Sequence, residues 1–250
     1  MTPDPTQRFS VRAGAYSRSR PSYPAALLDL LERECGLSRH SIIADIGSGT
    51  GLLAALLLEY GCQVIGVEPN LEMRREGEEY LERYPRFRSV DGRAEATGLA
   101  EACADIITAG QAFHWFDAKA ARREFLRILR PDGWLVLVWN ERPPAAGGFQ
   151  AEYAATANRH ARDMNRVREE NIDAVFGGRK WRRFNLANEQ RLDRAGLIGR
   201  LSSTSYAPVP GTPEHDAMER DLSELFDRYQ QDSSVTLLYE TRVFLGKLKM

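Results

Sequence analysis

The chain is 250 residues long, 43% apolar and 28% charged, with a formal net charge of −1, which suits one α/β domain with a buried core, with or without an insertion. That balance gives no electrostatic case for nucleic acid or an anionic membrane surface, and no stretch forms a membrane span or a signal-peptide core. Cys35, Cys62 and Cys103 are scattered without a C-x-x-C pair, which argues against a disulfide framework or cysteine zinc site and leads us to expect a soluble, cytoplasmic protein.

Residues 2–24 are polar and interrupted by Pro3, Pro5, Pro21 and Pro24. They read as a loose tail or as a cap over a site rather than as a core element. From Pro24 to Cys35, the residues Ala26, Leu27, Leu30 and Leu31 share one helical face, and Gly36 stops the helix. The most informative stretch follows, from Ser41 to Asn70. Ile42, Ile43, Ala44 and Ile46 form a short apolar run, as a strand buried on both faces does. Gly47, Ser48, Gly49, Thr50 and Gly51 then break it with a turn that permits positive φ and close approach of a ligand. Leu52 to Tyr60 is a run of helix formers closed by Gly61. Val64, Ile65 and Val67 make a second strand, with Glu68 just beyond it. Together these make one βαβ half of a nucleotide-binding sheet, with the glycine turn and Glu68 at its carboxyl edge. An ionised carboxylate there accepts two hydrogen bonds from a ribose diol. The dinucleotide fingerprint G-x-G-x-x-G needs a third glycine where this chain has Leu52, and the spacing here is G-x-G-x-G.

Asn70 is a natural N-cap for a helix reaching about Arg83, and Phe87 to Val90 is a third strand. Ala104 to Ala109 is a fourth, followed by Gln111, Ala112, Phe113, His114, Trp115 and Phe116, with Asp117 capping a helix to Leu129. Pro131, Asp132 and Gly133 mark a turn before a fifth strand, Trp134 to Trp139. Pro143, Pro144, Gly147 and Gly148 lead out of the sheet into a polar helical run, Phe149 to Val175. The basic and aromatic run Arg179 to Phe184 reads as a solvated face or as a contact for an acidic substrate. Leu197 to Tyr206 is expected to return as a strand. Glu214 to Tyr229 is amphipathic at helical spacing, and Val235 to Leu248 is a long alternating strand. The four histidines are dispersed without ligand spacing, so no metal is implied.

The residues DIGSGTG followed by VIGVEPN resemble the class I S-adenosylmethionine-dependent methyltransferases, and LRPDGWLVLV resembles that family at its fifth strand. The likeness, which is to the small-molecule, type 11-like members, covers roughly residues 10–140. It implies a Rossmann-like α/β fold: a seven-stranded, mostly parallel sheet flanked by helices, with the last strand antiparallel. It also implies S-adenosylmethionine as cofactor and S-adenosylhomocysteine as product, held by Asp45, Gly47, Ser48, Gly49, Thr50, Glu68 and Pro69. Tyr16, Arg20, Pro21, Tyr23 and Pro24 match a family N-terminal pattern, by which Tyr16 and Arg20 approach the methionine end of the cofactor, an arginine meeting a carboxylate bidentately. Asn70 and Met73 are implied along the adenine, and so is the segment containing Arg93, Ala94 and Glu95, which resembles the family's G-x-A-E. Many relatives carry Asp where this chain has Arg93, which removes the usual carboxylate contact with the adenine amino group. Gln111 and Ala112 are implied near the cofactor, and Phe113, His114 and Trp115 on the acceptor side. The aromatics equally suit simple packing of the following helix. His114 is the candidate general base, with a structural histidine as its alternative.

The expected organisation is one methyltransferase domain over 1–250. Within it, 1–36 is a cap and first helix, 37–141 the cofactor-binding core, 142–196 a helical insertion or substrate cover, and 197–250 C-terminal strands and a helix. The expected function is methyl transfer to a small-molecule acceptor by in-line displacement, in a monomer or homodimer with no nucleic-acid or membrane partner. A NAD(P)-dependent oxidoreductase and a non-catalytic S-adenosylmethionine-binding regulatory protein are the competing readings.

Overall fold

The computed structural model describes residues 19–160, 169–204 and 206–248; Tyr16 lies outside them. Helix α1 (Ala26–Cys35) leads into β1 (Ile42–Ile46), α2 (Leu52–Tyr60), β2 (Gln63–Val67), α3 (Leu71–Leu81) and β3 (Phe87–Val90). Strand β4 (Ala104–Gly110), a 3₁₀ turn (Phe113–Trp115), α4 (Ala118–Ile128) and β5 (Leu129–Glu141) complete the parallel part. Then come α5 (Gly148–His160), α6 (Glu169–Phe176), β6 (Trp181–Leu192), α7 (Arg194–Ser202), α8 (Pro213–Tyr229) and β7 (Val235–Lys247). The seven strands lie in the order β3-β2-β1-β4-β5-β7-β6. Strands β1 to β5 pair in parallel, and β7 runs antiparallel to both β5 and β6. No helix among the described residues is long and apolar enough to cross a membrane.

Period-two alternation sends successive residues to opposite faces of the sheet, and both faces are covered. Ala44, Ile46, Leu135, Leu137, Trp139 and Phe244 pack with Phe125 of α4 and with Val175 and Phe176 of α6. Ile43, Val64, Ile106, Val136, Val138 and Val243 face the other way, against Leu27, Leu30 and Leu31 of α1 and Leu53 and Leu57 of α2. A third cluster joins α5, α7 and α8 to the near end of β7, through Tyr153, Leu197, Leu201, Met218, Leu222 and Leu237.

Four expectations for the second half of the chain are corrected. The stretch Leu197 to Tyr206 is not a strand. Asp193 caps it by accepting from Gly196 N at 2.7 Å, and Leu197 and Leu201, one helical turn apart, bury in the third cluster as α7. The range 142–196 is not a helical insertion throughout, because Trp181–Leu192 is the sheet's edge strand β6. Its alternation is hidden because polar Asn188 and Gln190 take half-buried positions between exposed neighbours. Nor is α6 a cover, since Ile172, Val175 and Phe176 are fully buried in the sheet's own core. The segment 197–250 accordingly holds two helices and one strand. The Pro131–Gly133 turn survives as an irregularity inside β5, where Asp132 takes φ 66° and the pairing with β4 shifts register.

Phe125 is wholly buried and meets Phe116 edge-on at 6.5 Å. Phe125→Ala is expected to cost about 3–5 kcal/mol, read as a lower denaturant midpoint.

Candidate active site

The carboxyl ends of β1, β2 and β4 converge on one pocket. Its glycine turn leaves β1 with Gly47, Gly49 and Gly51 all at positive φ, a backbone that a Cβ would strain. Gly47 is further constrained because a Cβ there would stand 2.6 Å from the Ala112 Cβ. The turn is tied to β2 by Gly47 N and Ser48 N, which both donate to Val67 O, at 2.8 and 3.2 Å. From the other side, α3 presses on it through Gly77, where a Cβ would lie 2.9 Å from Gly49 O.

Glu68 joins these pieces. Its Oε2 accepts from Gly49 N at 2.9 Å and its Oε1 from Asn70 N at 2.9 Å. Asn70 in turn caps α3, its Oδ1 accepting from Glu72 N and Met73 N at 3.1 and 2.9 Å. Glu68 is 7% exposed. Burial raises its pKa, and the two amide donors and Arg74 work against that rise. Two donors leave a carboxylate with lone pairs to spare, since it has about four acceptor sites.

Asp45, near the end of β1, is 1% exposed. Thr108 Oγ1 donates to its Oδ1 at 2.7 Å, while Oδ2 has no partner. Burial, with the negative charge of Glu68 adding, pushes its pKa up to about 7 against the Thr108 bond. Thr50 Oγ1 is likewise buried without a partner. An unsatisfied buried carboxylate oxygen is costly, and its position on the pocket wall fits a cationic or hydrogen-bond-donating ligand.

The remaining wall is a strap, residues 19–23, laid across the ends of β5 and β6. Asn188 Nδ2 and Asn140 Nδ2 donate to Ser22 O at 2.8 and 3.2 Å, and Gln190 Nε2 donates to Ser19 O at 3.1 Å. Arg20 Nη2 reaches Ser203 O at 3.0 Å. Tyr23 turns inward, its hydroxyl lying where a side chain at Gly110 would be. The enclosed cleft has about 680 Å³ of free space, its open mouth included.

Of the residues singled out from the sequence, Arg20, Asp45, Gly47, Ser48, Gly49, Thr50, Glu68, Met73, Gln111, Ala112 and Trp115 line this pocket. Pro69, Asn70, Arg93, Ala94, Glu95, Phe113 and His114 do not. Asn70 acts through the α3 cap. Arg93 is exposed and makes a backbone bridge to Ala96. Glu95 accepts from Asp117 N at 2.9 Å, supporting the start of α4. Phe113 is buried in the core, edge-on to Phe116 and Trp139. His114 leans on Trp115 with its Nδ1 buried and unpartnered. Burial, with the charge of Arg20 adding, pushes its pKa down to about 4. Sequence reasoning did not place Pro21, Tyr23, Leu52, Leu53 or Gly110 on the wall, although Pro21 and Tyr23 were visible in the N-terminal pattern. The metal-type grouping found among the described residues, His215, Asp216 and Glu219, lies on α8 and not on the pocket.

Residues 44–137 match the model of the methyltransferase domain. An uncharacterised methyltransferase-like protein of Schizosaccharomyces pombe is 31% identical over 243 residues, covering 94% of this chain and 93% of its own. An uncharacterised methyltransferase of Mycobacterium tuberculosis is 36% identical over 144 residues, 58% of this chain. That match spans little more than half of the mycobacterial protein, 56% of its length. A solved chain from Anaeromyxobacter dehalogenans, proposed to be a type II methyltransferase, shares the fold with a TM-score of 0.69 at 22% identity, covering 92% of this chain and 98% of its own. The seven-stranded, mostly parallel sheet flanked by helices is the Rossmann-like α/β fold that this neighbour shares. The chain belongs to the S-adenosylmethionine-dependent methyltransferase family, and that membership implies S-adenosylmethionine as its cofactor.

Two outcomes follow from this geometry. Because the Asp45 pKa is raised from 3.8 to about 7, folding takes up a proton between those values, and Asp45 costs stability increasingly up to pH 7 and uniformly above it. Asp45→Asn is therefore expected to be more stable than wild type by roughly 2–4 kcal/mol at pH 8, with the gain vanishing near pH 4 in thermal melts. Gly77→Ala improves the propensity of α3 by about 1 kcal/mol but pushes on Gly49 O. It should weaken cofactor affinity while leaving the far-UV spectrum unchanged.

Proposed function

We propose that this chain transfers a methyl group from S-adenosylmethionine to a small-molecule acceptor, by direct in-line displacement without a covalent enzyme intermediate. One observation carries the reading: a single pocket at the glycine turn holds two buried carboxylates with spare acceptor capacity, Glu68 clamped by two backbone amides and Asp45 with an unpartnered oxygen. Glu68 suits the vicinal hydroxyls of a ribose, and Asp45 suits an ammonium group. Arg20 on the same wall suits a carboxylate, and Met73 offers an apolar, polarizable surface for a base. When bound, S-adenosylmethionine would supply a methyl group made electrophilic by its sulfonium, with the sulfur retaining the bonding pair as a thioether leaving group.

The chain's own contribution is alignment and shielding. Strap residues Pro21 and Tyr23, together with Trp115, wall the pocket, which restricts water and holds reactants near attack geometry. His114, neutral at pH 7 and weakly basic, is badly suited to deprotonate an acceptor. An acceptor that arrives already nucleophilic, such as an ionised carboxylate, fits better than a hydroxyl that needs a base. Leu52 lies on the wall where a dinucleotide turn would have its third glycine, which counts against a nicotinamide cofactor.

Isothermal titration with S-adenosylmethionine, S-adenosylhomocysteine and NAD(H) tests the reading. Binding of the two adenosyl ligands alone is expected, and binding of NAD(H) alone would sink it. Affinity for S-adenosylmethionine should rise as pH passes upward through 7, because an ammonium partner selects ionised Asp45. Glu68→Ala should weaken that affinity by about 1.5–3 kcal/mol. Binding without turnover on a broad acceptor panel would point instead to a regulatory protein.

A further inference from the structure

Beyond the strap, on the side of α7 and β7, lies a second polar group that the cofactor pocket does not use. Arg200 of α7 is 6% exposed; its Nε donates to the Tyr239 hydroxyl at 2.8 Å, and its Nη1 is buried without a partner. Tyr153 of α5 is fully buried at 0% exposure, and its hydroxyl also has no partner. Arg142, the residue after β5, stands over the Tyr153 ring at 5.0 Å. Among the described residues, no carboxylate pairs with either guanidinium.

Magnitudes decide what this arrangement means. Arg200 lies over the Tyr239 ring at 5.7 Å, a contact weaker than a full ion pair. An arginine stays ionised in proteins, and burying such a charge unpaired costs more than one such contact returns. The ring and one hydroxyl do not offset that, and the nearby Tyr153 hydroxyl, itself unsatisfied, adds a further cost. Two guanidiniums and the unpartnered Tyr153 hydroxyl, without an acid, are complementary to an oxyanion, which a guanidinium fork grips with paired donors.

The position suits the acceptor. Glu141, which precedes Arg142, pairs with Glu240, which follows Tyr239, so the group sits at the carboxyl end of β5. Strand β4, whose end carries Gln111 on the pocket wall, is the adjoining strand. A hydrogen-bond chain runs from Arg200 through Tyr239 to Gln190 and on to Ser19 O of the strap. Arg20, the next residue, faces the cofactor pocket. We infer that Arg200 and Arg142, with the Tyr153 hydroxyl, form a subsite that holds a carboxylate or phosphate group of the methyl acceptor beside the cofactor pocket. This rests on the methyltransferase reading and names the acceptor's chemical class.

The full-length protein is titrated with succinate, inorganic phosphate and, as a neutral counterpart, succinamide. The titrations run at fixed ionic strength with and without S-adenosylhomocysteine, and binding heat and Tm are both recorded. At least one anion should bind saturably and raise Tm while succinamide does neither; the tighter of the two distinguishes a carboxylate from a phosphate site. Arg200→Met should bind the anion at least tenfold more weakly yet bind S-adenosylhomocysteine as wild type does. Its unliganded Tm should be equal or higher, because an unpaired buried charge is gone, an outcome that a purely structural arginine does not give. Tyr153→Phe and Arg142→Gln, which leave Arg200 in place, should each weaken the anion several-fold without lowering Tm. They decide the matter if Arg200→Met does not fold. The inference is overturned if neither anion binds wild type saturably, or if these variants bind it with wild-type affinity. Failure of S-adenosylhomocysteine to bind wild type would instead remove the methyltransferase reading, and the anion titration would still stand.

Discussion

The carboxylate of Glu68 is the joint of the molecule. A glycine turn has little to hold it, because residues without side chains contribute only backbone donors and acceptors. Here one buried acid takes the amide of Gly49 with one oxygen and the amide of Asn70 with the other. It thereby fixes the turn after β1 against the start of α3. The close approach of Gly77 to Gly49 O completes the clamp from the helix side. Everything on the pocket wall is referred to this joint, since Asp45 sits just before the turn and Met73 on the first turn of α3.

A second constraint is electrostatic. Buried polar atoms that the fold leaves without partners stand on both sides of the strap: Asp45 Oδ2 on the pocket wall, and Arg200 Nη1 beyond it. Unpaired buried charge lowers stability, and binding sites are where proteins retain it. The pocket wall carries an acid and a guanidinium together, Asp45 and Arg20, while the group beyond the strap carries only guanidiniums and tyrosine hydroxyls. Beside this pocket, burial, with the charge of Arg20 adding, pushes the His114 pKa down to about 4, and its ring leans on Trp115.

The first half of the chain was legible because its signals are local. Ile42 to Asn70 carries strand, turn, helix and acid in one continuous run, and Asn70 and Asp117 announce their helices by capping. The second half hides its structure. Strand β6 has an inward face that includes Asn188 and Gln190, so its hydrophobic alternation fades; those amides are there to hold the strap. Helix α7 begins at Asp193, a capping signal that the apolar residues after it obscured. The same split holds for the site. Residues on the turn could be named from spacing alone, whereas Tyr23 reaches the pocket only because Gly110, nearly ninety positions later, lacks a side chain. Arg93, Ala94 and Glu95 look like ligand contacts in one dimension, but the structure gives Glu95 to the α4 entry and leaves Arg93 on the surface. Tyr153 and Arg200 carry no local signal, since their significance lies in what they fail to touch.

The strap has one further consequence. Besides the Arg20 bond to Ser203 O, it is fastened by Asn140, Asn188 and Gln190, uncharged amides bonding to backbone carbonyls. Inside it, the pocket wall carries the ionisable groups Asp45 and Glu68. None of the four fastening groups titrates near neutrality, so the strap keeps its hold on β5 and β6 while acidity changes the charge of Asp45 beneath it.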